Sequence, residues 1–101
     1  HNGVDYAAKA GAEVTSPVAG KVTLAGTEGS WGPVVALEDS TGRVWRLCGV
    51  ADPQVEPGQR ISAGDVLGTV GTVGCECAEE SHIHLEVKQG ETYLDPAKAL
   101  T

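Results

Sequence analysis

Basic side chains are scarce in this 101-residue chain: 7 Lys and Arg stand against 14 Asp and Glu, for a formal charge of −7. The seven are scattered, whereas nucleic acids and other polyanions are held by clustered cations that displace counterions. That class of partner is excluded. No apolar run reaches membrane length and no signal-like start is present, so the stretch reads as soluble. Because it begins on a candidate metal ligand, it also reads as cut from a longer protein, with any membrane anchor or export signal upstream. Histidine is rarer still. The chain has three, and none lies between His1 and His82.

The length predicts one domain, large enough for a modest core without cross-links. Three cysteines, Cys48, Cys75 and Cys77, make an odd count, which leaves at least one thiol outside any intrachain bridge. A Cys75–Cys77 bridge would close a very small, strained ring, so Cys48 with one of them is the favoured pair if one forms. The alternatives are small buried residues, or a thiol–zinc set of Cys75, Cys77, His82 and His84.

Fourteen glycines and five prolines punctuate short runs rich in valine and leucine, the spacing of an all-β sandwich or barrel. Strands are expected at Glu13–Ser16, Lys21–Ala25, Pro33–Glu38, Arg43–Cys48, Asp65–Val70 and His82–Lys88. Turns are expected at Pro17–Gly20, Glu28–Gly32, Asp39–Gly42 and Glu56–Gln59. Only Asp95–Leu100 reads as helical, with Asp95 as cap and Pro96 at the first position.

The histidines fall in two short motifs about eighty residues apart, His1-Asn2-Gly3-Val4-Asp5 and Ser81-His82-Ile83-His84-Leu85. Histidine and aspartate are the usual oxygen and nitrogen ligands of zinc, and a catalytic site takes three protein ligands with one position open. Asp5, His1 and one histidine of the later pair would supply that set if folding brings the motifs together. On a strand, His82, His84 and Glu86 share one face and Ile83, Leu85 and Val87 the other, with the two imidazoles about 7 Å apart along the chain. The apolar face belongs to a core, and the histidine face is expected to open into a cleft or solvent. Fully extended, His1 and Asp5 would be roughly 13 Å apart. The turn-prone Asn2-Gly3 pair offers a way to fold that segment back.

These motifs resemble those of the lysostaphin or LytM-type zinc endopeptidases that cut peptidoglycan peptides. The signature HxGxD is matched by His1–Asp5 and HxH by His82-Ile83-His84. The likeness runs through nearly the whole chain: Glu13–Val22 resembles the family's strand–turn–strand, Val55–Gly68 its glycine-rich hairpin, and Asp95-Pro96 its closing DP. The resemblance implies a compact antiparallel β fold with glycine-rich loops around a groove, spanning residues 1–101 as one zinc peptidase domain trimmed at its N-terminus. It also implies Zn2+ held by His1, Asp5 and His84, and His82 as the catalytic group facing the reacting water or carbonyl. The implied partner is a peptidoglycan peptide or an envelope protein, in an extracytoplasmic setting at the bacterial cell envelope.

One feature of the family pattern is missing. Active members carry a further histidine in a YxHL motif on a middle strand, where this chain has Val44-Trp45-Arg46-Leu47-Cys48, and Leu47 is the expected equivalent. The missing group predicts peptidase activity weakened or lost. A similar loss marks stage II sporulation protein Q, an envelope scaffold and channel component, so a non-catalytic sporulation-type scaffold is the second reading. Two rivals fit less well. Lipoyl and biotinyl carriers present a lysine beside methionine or aspartate on an exposed hairpin, and this chain has no methionine. Glucose-type phosphocarriers lack an HxH strand.

Overall fold

The computed structural model describes residues 4–7, 9, 11–28, 32–71 and 82–95, and of positions 4–7, 27, 28 and 82 the backbone alone. Among the described residues all ten elements are strands: β1 (Val4–Ala7), β2 (Glu13–Thr15), β3 (Gly20–Glu28), β4 (Gly32–Glu38), β5 (Val44–Cys48), β6 (Val50–Ala51), β7 (Arg60–Ile61), β8 (Val66–Val70), β9 (His82–Gln89) and β10 (Thr92–Leu94). The larger sheet runs β1-β9-β5-β4-β3-β7, with β10 also paired to β9; the smaller runs β2-β8-β6. Every pairing is antiparallel.

The six expected strands are present with bounds shifted by a few residues. Four short ones, β1, β6, β7 and β10, went unread because segments of two to four residues are too brief for alternation to show. The helix expected over Asp95–Leu100 falls, beyond Asp95, outside the described residues.

One face of the larger sheet packs on the smaller sheet. Val35, Leu37, Trp45, Leu47, Ile83, Leu85 and Val87 from the first meet Val14, Val50, Leu67 and Val70 from the second in a single apolar cluster. Removing these side chains from water is the main favourable contribution to the fold. Trp45 buries its ring there and still satisfies its indole N–H, which donates to Asp39 Oδ2 at 2.8 Å. The β4–β5 hairpin tightens on the same carboxylate: Asp39 Oδ1 accepts from Thr41 N, Thr41 Oγ1 and Arg43 N. Gly68 lets β8 lie close to β6, since a Cβ there would stand 2.5 Å from the Ala51 carbonyl oxygen.

The topology does one thing that matters most for function. Strand β9, near the end of the chain, lies between β1 and β5. Val4 and Asp5 of the first motif are therefore paired with the strand that carries the second, although about eighty residues separate the two motifs.

Candidate metal centre

Register decides which residues meet. On one side of β9, Asp5 is the Cα partner of His84; on the other, Cys48 is. Cys48 in turn faces Val34 on β4. Directly opposed residues of an antiparallel pair lie on the same face of the sheet, so positions 5, 84, 48 and 34 form one row. The neighbouring row, Val4, Leu85, Leu47 and Val35, lies on the opposite, core face. Ile83, Leu85 and Val87 are buried in the main cluster, as the alternation in β9 predicts.

Two expectations change here. The histidine face does not open to solvent at position 84: His84 is 1% exposed and Glu86 4%. That face has an apolar patch of its own, formed by Val34 and Cys48 with Leu24 against them. The second change concerns the missing histidine. Leu47 is buried beside Leu85 in the core, so a side chain there points away from His84. Cys48 is the β5 residue that shares the His84 row. Sequence alone left this one-residue shift open, and a shift of one exchanges the faces.

Beside His84, Glu86 is opposed to Arg46. Arg46 Nη1 donates to Glu86 Oε1 at 2.5 Å, and Glu86 Oε2 stands 3.7 Å from His84 Nε2. Neither residue was singled out for this role from the sequence. The signal available there was Glu86 at i+2 from His84, on the same strand face.

Of the site residues expected from sequence, His84 has its side chain described; Asp5 and His82 are placed by backbone register, His82 opposite Ala7. His1 lies outside the described residues, as do Cys75 and Cys77. Among the described residues no three His, Cys, Asp or Glu side chains form a metal-holding group, and the expected set has one member within that description. A hollow of about 400 Å3 lined by Lys21, Glu38, Asp39 and Arg60 lies four residues further along β4 from the Val34 row and is no part of this site.

The profile of peptidase family M23 matches residues 1–96. The chain belongs to that family. This sets aside the carrier and phosphocarrier readings. The chain is 30% identical over 96 residues to the DD-carboxypeptidase/endopeptidase Mpg of Neisseria meningitidis serogroup B, covering 95% of this chain and 22% of that protein. It spans about a fifth of the length of the curated relatives it matches. The fold is that of the catalytic domain of the antimicrobial peptidase lysostaphin from Staphylococcus simulans, with a TM-score of 0.88 and 24% identity over 99% of this chain and 78% of that one. A zinc containing peptidase from Vibrio cholerae superposes with a TM-score of 0.82 at 26% identity, over 93% of this chain and 28% of that one.

M23 peptidases are zinc-dependent, and the donor types on this row fit such an ion. Position 5, an aspartate, stands directly opposite His84 across the β1–β9 pair, and the His84 side chain is buried. Oxygen and nitrogen donors of these types suit zinc.

Proposed function

We propose that this is a zinc peptidase domain of a larger envelope protein, with one zinc held by His1, Asp5 and His84, and that it engages peptidoglycan peptides containing glycine or alanine. The observation carrying this is the pairing of Asp5 with His84, which sets one residue of each family motif on one row of one sheet. When bound, zinc supplies a Lewis acid and a water of lowered pKa. Asp5 and His84 hold it from adjacent strands, so their separation is fixed by the sheet itself. His82, two residues before His84 on β9, is the residue the resemblance assigns to the reacting water or carbonyl.

Cys48 sets the expected rate. A thiol is a weak hydrogen-bond donor and shorter than imidazole. It cannot do what a histidine on the same row would do for the developing oxyanion. Loss of one such donor costs about two to three orders of magnitude in rate. We therefore infer that hydrolysis is slow or absent. The second reading, favoured by that same residue, is a scaffold whose groove holds peptidoglycan or an envelope partner protein without cutting it. Sporulation-type scaffolds are one such case. Either role places the domain outside the cytoplasm.

The test is zinc content together with turnover of purified peptidoglycan, measured on a protein that includes residues before His1. One zinc per chain with slow turnover abolished by His82→Ala supports the peptidase reading. One zinc, firm peptidoglycan binding and no turnover supports the scaffold. A protein that takes up no zinc under replete conditions refutes both forms of the metal-site assignment.

A further inference from the structure

The ion pair Arg46–Glu86 lies against the site without belonging to the set of ligands. Glu86 is 4% exposed, and a buried carboxylate is costly unless it is paired. Arg46 on β5 satisfies one oxygen, Oε1. The other, Oε2, is turned to His84, 3.7 Å from Nε2. The register produces this arrangement: Glu86 faces Arg46 across the strand pair and follows His84 by two residues on the same face.

We propose that Glu86, anchored by Arg46, is a positioning residue that orients the His84 imidazole toward the metal. This rests on the zinc reading above. Imidazole has two nitrogens, and the group beside one decides which carries the proton. An anion on the Nε2 side favours the tautomer with its proton on Nε2, which leaves Nδ1 to donate to the cation. Carboxylates set behind ligating histidines act in this way, and removing one typically weakens metal affinity about 10–100-fold.

The 3.7 Å separation is longer than a hydrogen bond, so in this structure the contact is electrostatic. It strengthens when the ring gives its other lone pair to a cation and its N–H becomes more acidic. A cross-strand ion pair with a merely structural role needs a carboxylate facing one cation. Here the second oxygen is directed at the site histidine, and Arg46 keeps the carboxylate from rotating away.

The experiment compares wild type, Glu86→Gln and Arg46→Gln. Zinc affinity is read by competition with a chromophoric chelator. The His84 tautomer is read in the metal-free protein by imidazole 15N chemical shifts, and its fold by far-UV circular dichroism. Glu86→Gln is expected to keep the fold, lose about 10–100-fold in zinc affinity and mix the two tautomers. Arg46→Gln should weaken zinc in the same direction.

Unchanged affinity and tautomer in Glu86→Gln, with only a lower melting temperature, would make the pair structural and overturn the proposal. If Glu86→Gln fails to fold, Arg46→Gln carries the test, and wild-type zinc affinity in that variant overturns it. Wild type that binds no zinc sinks the metal site and this inference together. Wild type and Glu86→Gln that bind equally well sink only the positioning role.

Discussion

Placing a histidine on β5 tests the register directly, because adjacent positions lie on opposite faces. Leu47 is 1% exposed and packs with Leu85 in the main core; Cys48 is 0% exposed and shares the His84 row. Leu47→His removes a buried leucine, worth about 1.5–3 kcal/mol. It also leaves a polar ring among apolar neighbours, at about 1–3 kcal/mol more. The sum, about 2.5–6 kcal/mol, is a large part of the roughly 5–15 kcal/mol that holds a domain together. At about 4–8 °C per kcal/mol, the melting temperature should fall by about 10 °C or more, with no gain in turnover. Cys48→His puts the imidazole on the site face, with an overpacking cost of about 1–3 kcal/mol. If the groove remains competent, peptidoglycan turnover should rise about 100-fold or more. The assay is release of soluble peptide from purified wall in the presence of zinc, alongside thermal denaturation of both variants. A stable Leu47→His protein that is more active than Cys48→His would refute the assignment of faces.

His84→Ala should abolish stoichiometric zinc uptake, since it removes the proposed ligand in the middle of the row; retention of one tightly bound zinc per chain, by metal analysis after gel filtration, would count against His84 as a ligand. Asp39→Ala should destabilise the fold by about 1.5–3 kcal/mol, because Trp45 Nε1 and the Thr41 and Arg43 amides lose a charged acceptor; urea unfolding measures it. Burial pushes the Asp39 carboxyl up, but hydrogen bonds from Thr41, Trp45 and Arg43 together hold it below its ordinary value. A carboxyl lowered in the folded state adds stability above its unfolded pKa of about 3.9, and that stability is lost as pH falls through the lowered value. The stability gap between wild type and Asp39→Asn should therefore be constant near neutrality and shrink below about pH 4, as read by denaturant melts at several pH values. Gly68→Ala should be strongly destabilising, since the added methyl meets the Ala51 carbonyl at 2.5 Å; an unchanged melting temperature would show that β6 and β8 can separate without cost.

The sequence by itself determined the class of fold, the location of the longer strands and the inward set Ile83, Leu85 and Val87, because all of these follow from local alternation and turn chemistry. It also marked His1, Asp5, His82 and His84 as residues to watch, because rare residue types in two family-like motifs are legible in one dimension. Strand pairing is not. Nothing local in Val4–Ala7 states that it will lie beside His82–Gln89, and a strand of four residues carries too little pattern to reveal itself. The tertiary structure alone decided that Asp5 faces His84, that Cys48 and not Leu47 shares their row, and that Arg46 and Glu86 stand behind the histidine. The physical reason is that each of these depends on register between segments distant in the chain. A one-residue change in register leaves local sequence signals untouched while moving every side chain to the other face of the sheet.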